Sequence, residues 1–181
     1  MEIKNWFSSD WHLGHNNILK YDNRPFKDID HHDQVIIDNY NSIVGNNDNF
    51  YFLGDFALTD SRYVKRRLSE LKGNKFFIKG NHDKHDTIKA YEANGTYLGE
   101  QKKIVIDGQA IILNHFAMRV WDKSHKGSHH LYAHNHGGLE QVPWGKSMDV
   151  CIILNDYYPF EWEQIKKILD AREAFVHHEV E

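Results

Sequence analysis

The apolar positions along the first half of the chain alternate between short continuous runs and helical stripes. Residues 3–8 read as a strand. Residues 17–21 read as a helical turn, broken by Asn23-Arg24-Pro25-Phe26 because proline restricts the residue before it. Over 28–44, Val35, Ile36, Ile37, Tyr40, Ile43 and Val44 recur at helical spacing, with acids near the start and Gly45 after the end. Residues 49–53 form a buried-strand pattern ending in Gly54-Asp55. A helix over 61–72 carries Tyr63, Val64, Leu68 and Leu71 and is closed by Gly73. A second buried strand, 75–79, ends in Gly80-Asn81-His82-Asp83, and 86–93 is helical, with Gly95 as its stop. This alternation is the signature of a layered α/β unit with parallel strands. The second half changes character. Residues 102–106 and 109–113 flank Asp107-Gly108 as a hairpin. Strands follow over 130–133 and 148–154. The last helix is expected over 159–175, with Pro159 in its first turn and Trp162, Ile165, Ile168 and Leu169 inward, and the tail from Val176 reads as frayed. There is no repeat, low-complexity tract or linker, so one domain is expected over 1–181.

Composition narrows this picture. A chain of 181 residues, 40% hydrophobic and 27% charged, is long enough for one globular core. A net charge of −4 argues against holding long nucleic acid by charge alone, so stable nucleic-acid binding is not expected. The single cysteine, Cys151, lies in an apolar run and reads as a small buried hydrophobe; without a disulfide framework the chain suits a reducing compartment, the cytoplasm. No apolar run approaches the roughly 18 residues of a membrane span, so no membrane partner is expected. The first seven residues are too short and mixed for a signal peptide. Nothing in the pattern specifies an oligomeric state. The 14 histidines are the unusual figure, and they prompt a search for metal sites.

The strand ends answer that search. The first strand runs into Ser8-Ser9-Asp10-Trp11-His12-Leu13-Gly14-His15, where Asp10 and His12, two apart, share a face and can converge on a divalent ion. The next strand ends at Asp55 and the third at Asn81-His82. The hairpin's second strand ends at Asn114-His115, and the following one at His134-Asn135-His136. Each piece has an ordinary reading: Gly-Asp as a turn, Asn-His-Asp as a helix cap, His-Asn-His as one solvated strand face. Together they set ligand-competent side chains after strand upon strand, where open α/β sheets place their sites.

The ordered blocks Asp-x-His, Gly-Asp, Gly-Asn-His-Asp, a lone His and x-His-x-His resemble the calcineurin-like metallophosphoesterase superfamily, from Asp10 to His136. The opening Asp-Trp-His-Leu-Gly-His and Arg24-Pro25-Phe26 look most like its small bacterial and phage members. The resemblance implies a four-layer α/β/β/α sandwich with mixed sheets and a two-metal centre. It assigns Asp10, His12 and His136 to one metal, Asn81, His115 and His134 to the other, Asp55 to a bridge, and His82 to the substrate side. Such a centre neutralises a phosphoester, aligns it and lowers the pKa of a bridging water, so that the resulting hydroxide attacks phosphorus in line. The N/O donor set suits two divalent ions, Mn²⁺ first, with Fe or Zn²⁺ as alternatives. His82 would protonate the leaving oxygen or stabilise the transition-state charge.

This chain departs from the family pattern at Ala133, where Gly is usual, at Asn135, where Thr or Ser is common, and at Leu58, where many members carry an acidic residue or His. Asp60 and Asp83 are the candidates to orient His82 in its place. His15, Asn16 and Arg24 are candidate phosphate contacts, Arg24 as a clamp. Trp121, Lys123, His125 and Lys126 are candidates for the entrance. His31, His32, His129, His177 and His178 read as surface or structural residues. Most aromatic residues belong to the core, though an exposed ring can stack on a nucleobase. The expected activity is hydrolysis of a small phosphodiester or nucleotide-like substrate; the alternatives are a binding scaffold that has lost hydrolysis and a nuclease acting on polynucleotide.

Overall fold

A computed structural model describes residues 2–175. Its strands are β1 (Asn5–Ser8), β2 (Asn49–Phe52), β3 (Asn74–Ile78), β4 (Thr96–Gly99), β5 (Gln101–Ile106), β6 (Gln109–Asn114), β7 (His129–Tyr132), β8 (Ser147–Asp149) and β9 (Phe160–Glu161). Its α-helices are α1 (Ile18–Tyr21), α2 (Ile29–Ile43), α3 (Ser61–Ser69), α4 (His85–Asn94) and α5 (Trp162–Asp170). One sheet has the order β4-β3-β2-β1-β9 and the other β5-β6-β7-β8. Both are mixed. In the first, β1 to β4 pair in parallel and β9 runs antiparallel to β1. In the second, the β5–β6 hairpin is antiparallel and β6, β7 and β8 are parallel. Two mixed sheets flanked by helices are the expected fold class.

The pleat sorts each strand's side chains between two cores. Trp6, Phe50, Phe52 and Phe77 pack on the helix side with Ile36, Tyr40, Val64, Leu68 and Tyr91. Phe7, Leu53 and Ile78 face the other sheet, meeting Ile111, Leu113, Leu131 and Met148, and α5 adds Trp162, Ile165 and Leu169 to that inter-sheet core. The expected helices start where capping chemistry starts them. Asp28 accepts from the His31 N–H at 2.8 Å ahead of α2, and Asp60 from the Arg62 and Tyr63 N–H groups ahead of α3.

Two expectations need correction, and one strand was missed. The strand expected over 148–154 is only β8, followed by a 3-10 turn, Ile152–Asn155. After β8 the chain leaves the second sheet, and Cys151 forms a parallel bridge with Ser9 beside the first. The helix expected over 159–175 is shorter at both ends, because Phe160 and Glu161 pair with Phe7 and Trp6 as β9 and the helix stops at Asp170. The edge strand β4 was not legible, since Gly95 before it reads only as a helix stop. The tail from Val176, with His177 and His178, lies outside the described residues.

Candidate metal centre

The loops after β1, β2, β3, β6 and β7 meet at one end of the sandwich. Trp11 explains why the first of them points correctly. Its ring is wholly buried among Tyr40, Phe50, Phe52 and Phe56, with centroids 5.3–5.8 Å away, and its Nε1–H donates to Ser8 Oγ at 2.8 Å. With Trp11 anchored inward, Asp10 and His12 on either side turn to the site. The loop is laid along the next one by bonds from Asp10 N to Gly54 O (3.0 Å), His12 N to Asp55 O (3.1 Å) and Leu13 N to Phe56 O (2.9 Å).

The motif glycines are required by contact. A Cβ on Gly54, at φ +95°, would lie 2.4 Å from Gly80 N, and one on Gly80 would lie 2.2 Å from Asp55 Oδ1. Asp83 clips the two loops together, Oδ2 accepting from Gly80 N (2.8 Å) and Asp55 N (3.0 Å) and Oδ1 from Phe56 N (3.3 Å). Asp10, His12, Asp55, His134 and His136 all have positive φ, a conformation that costs a non-glycine residue about 1–3 kcal/mol and gathers at functional sites.

The side chains form two groups, Asp10/His12/His136 and Asp55/His115/His134, with ligand atoms in each within 4.8 Å of one another. Asp55 Oδ2 lies 3.8 Å from His12 Nε2 and 3.5 Å from His115 Nε2, so one oxygen faces both groups. Its other oxygen accepts from the His82 N–H at 2.9 Å. Asn81 Oδ1 joins the second group, 2.9 Å from His115 Nε2. All seven expected ligands therefore converge.

The donor chemistry fits divalent cations. His115 Nδ1–H donates to Leu53 O at 2.7 Å, which turns Nε2 inward, and His136 Nδ1–H donates to Asp22, which turns its Nε2 inward, 3.6 Å from Asp10 Oδ1 and 3.3 Å from His12 Nε2. With neutral rings these are acceptors facing acceptors in a largely buried cluster, an arrangement that cations among them would make favourable. The pKa directions divide the four rings. Burial pushes His12 down to about 3 and lowers His134, so both rings are neutral near pH 7. Burial also opposes protonation of His115 and His136, but Asp55 and Asp10 beside the one, and Asp22 and Asp10 beside the other, raise both. Burial raises Asp10; it opposes ionisation of Asp55 too, yet His115 and the His82 N–H hold that carboxyl below the ordinary value.

His82 is exposed, its ring edge-on to His12 with centroids 5.5 Å apart. Neither candidate orienting carboxylate is hydrogen-bonded to its ring: Asp60 Oδ1 caps α3 and Asp83 clips the loops. His15 is half-buried 5.8 Å from the His12 ring, and Asn16 is exposed beside it. Arg24 is a correction: its side chain is wholly buried, and its N–H groups go to Asp22, Asp10 O, Trp11 O and His32, leaving none for a phosphate. Trp121 is another, buried with its indole N–H on Ser128 O at 3.0 Å and its ring against His130 behind the second sheet; Lys123, His125 and Lys126 are exposed. His31 is exposed, while His32 and His129 are buried structural residues. Ala133 is wholly buried without displacing its loop, donating to His115 O at 3.0 Å. The residue that sequence reasoning missed is Asp22, which holds His136. Its only local signal is an Asp-x-Arg spacing in the turn before Pro25.

No family model matches the chain. It is 30% identical over 175 residues to an uncharacterized protein of Methanocaldococcus jannaschii, the alignment covering 92% of each chain. Among solved structures, a protein of unknown function from Aquifex aeolicus superposes with a TM-score of 0.72 at 23% identity, over 92% of this chain and all of that one. The phosphoesterase YfcE of E. coli superposes with a TM-score of 0.51 at 14% identity, over 82% of this chain and 78% of that one. The chain thus belongs to one family with the Methanocaldococcus protein, and its fold is that of the calcineurin-like metallophosphoesterases.

Proposed function

We propose that the protein hydrolyses a phosphoester, with a small phosphodiester or nucleotide-like molecule as substrate, and that it does so with two divalent cations, Mn²⁺ first and Fe or Zn²⁺ as alternatives. The observation that carries this reading is the pair of facing Asp/His groups with Asp55 Oδ2 between them. Asp10, His12 and His136 would hold one cation, Asn81, His115 and His134 the other, and Asp55 both. When bound, the two cations supply the positive charge that an anionic phosphate needs and lower the pKa of water. The residues do the rest. Only two of the seven ligands are acidic, so the loaded pocket stays attractive to an anion. The His82 backbone N–H fixes Asp55 while its exposed ring is free to hand a proton to the leaving oxygen.

Two depressions support a diester. One, about 480 Å³, is lined by Leu58, Thr59, His82 and Lys84; the other, about 360 Å³, by Lys79, Asn81, Asn114 and Phe116. They open beside the neighbouring residues His82 and Asn81, one for each substituent of a disubstituted phosphate. Two exposed rings support a nucleotide-like substituent: Phe116, 4.7 Å from the His134 ring, and Tyr21, 6.0 Å from that of His15. His15 and Asn16 are proposed phosphate neighbours on the same rim. In this reading residues 1–181 act as one cytoplasmic domain, a compartment supported by the single, wholly buried thiol of Cys151. Among the described residues, no helix is long and apolar enough to cross a membrane.

The test is release of nitrophenol from bis- and mono-nitrophenyl phosphate by metal-stripped protein reloaded with Mn²⁺. Faster turnover of the diester is expected. No turnover with Mn²⁺, Fe²⁺ or Zn²⁺ would leave the scaffold reading, for which Leu58 gives an opening. Cleavage of single-stranded DNA in preference to small diesters would favour a nuclease.

A further inference from the structure

We propose that Arg24 and Asp22 form a positioning device for one half of the metal centre, the Asp10/His12/His136 group, and not for the other. The inference rests on the two-cation reading above. It begins from a buried arginine with no solvent-facing task. The five N–H donors of a guanidinium are all accounted for here. Nε and Nη2 donate to Asp22 Oδ2 at 3.0 and 2.8 Å, and Nη2 also to Asp10 O at 3.0 Å. Nη1 donates to Trp11 O at 3.0 Å and to His32 Nε2 at 2.9 Å. Asp22, charge-paired to that guanidinium, accepts from His136 Nδ1 with both oxygens, at 2.9 and 2.8 Å. One side chain thereby ties the carbonyls of Asp10 and Trp11 to the carboxylate that aims His136.

His32 and Asp33 brace the arrangement from behind. Asp33 Oδ1 accepts from His32 Nδ1–H at 2.7 Å, so His32 Nε2 is left as the acceptor that Arg24 requires. Asp33 Oδ2 accepts from Gly14 N at 2.8 Å, a second tie to the Asp-x-His loop. None of these bonds reaches Asn81, His115 or His134. A carboxylate on the distal nitrogen of a metal-binding histidine fixes its tautomer and direction, and losing such a partner typically weakens metal affinity about 10–100-fold. A lysine in place of Arg24 keeps the charge but cannot make the fork.

The experiment titrates metal-stripped wild type, Asp22→Asn and Arg24→Lys with Mn²⁺ by calorimetry, with metal content measured after gel filtration. Wild type should take up two ions. Each variant should keep one at wild-type affinity and bind the other about 10–100-fold more weakly. A second readout needs no metal. Long-range ¹⁵N spectra at alkaline pH, where the ring is neutral, should find the His136 proton on Nδ1 in wild type and redistributed towards Nε2 in Asp22→Asn. Two undiminished binding steps in both variants overturn the inference, and so does an equal weakening of both steps, which marks a general loosening. A wild-type chain that takes up no Mn²⁺ overturns the metal reading and this inference with it.

Discussion

Replacing Gly80 by alanine adds one methyl at the seam between the two central loops, and the structure says how badly it fits. The new Cβ would lie 2.2 Å from Asp55 Oδ1, 2.4 Å from Asp55 N and 2.9 Å from Asp55 Cγ, where ordinary contact begins at 3.4 Å. Relief therefore needs a displacement of about 1 Å. A side chain alone cannot supply it, because Asp55 N is backbone and is held, like Gly80 N, by Asp83 Oδ2. Overpacking of this kind costs about 1–3 kcal/mol of stability. If Asp55 bridges the cations as proposed, a shift of about 1 Å should lower turnover about 10²-fold or more. The assay is urea unfolding of the metal-free protein beside Mn²⁺ titration and turnover. Gly108→Ala is the control: its Cβ would meet nothing within 4 Å, and its φ of +77° leaves only a left-handed strain of about 1–2 kcal/mol in the β5–β6 turn. Gly108→Ala should lose stability and keep both cations. A Gly80→Ala chain as stable as wild type, with unaltered Mn²⁺ binding, would refute the account of why this motif carries glycine.

His82→Ala should retain both cations and lose about 10²–10⁴-fold in turnover on a substrate with a poor leaving group; full activity on that substrate would remove its assigned role. Asp55→Asn should weaken both Mn²⁺ steps, because Oδ2 faces both groups, and a variant with one step untouched would show that Asp55 serves a single ion. His130 makes a pH prediction. Its Nδ1–H donates to Ile112 O and its Nε2 accepts from Met118 N, so only the neutral ring satisfies both, and burial lowers its pKa to about 4 from 6.5. Between those values the unfolded chain binds the proton and the folded one does not, so this contribution to stability is whole above about pH 6.5 and is lost as pH falls towards 4. The stability gap between wild type and His130→Gln should therefore narrow by about 2 kcal/mol from pH 7 to pH 5, at 1.36 kcal/mol per unit; urea unfolding at the two pH values measures it, and an unchanged gap would refute the burial argument.

How much of this was legible in the chain depends on distance along it. The candidate ligands could be read because they follow the ends of five strands closely, so a local pattern supplied both the element and the chemistry at its end. The pairing of Phe160 with Phe7 could not, since two residues that look helical were drawn into β9 by a strand more than 150 positions away. The hydrogen bond from His136 to Asp22 spans 114 positions, and the charge that suggested a phosphate clamp at Arg24 is directed inward by that same network.

The backbone of the candidate ligands carries the further lesson. Local propensity disfavours a left-handed conformation at Asp10, His12, Asp55, His134 and His136, so no window of sequence would assign it. What sustains it is tertiary: Trp11 locked among four rings, Gly54 and Gly80 in backbone contact, Asp83 and Arg24 binding the loops from behind. Each of these holds a loop without lending an atom to the cation pocket. The residues that define the site and the residues that keep it in shape are thus different sets, and only the first announces itself by chemical type.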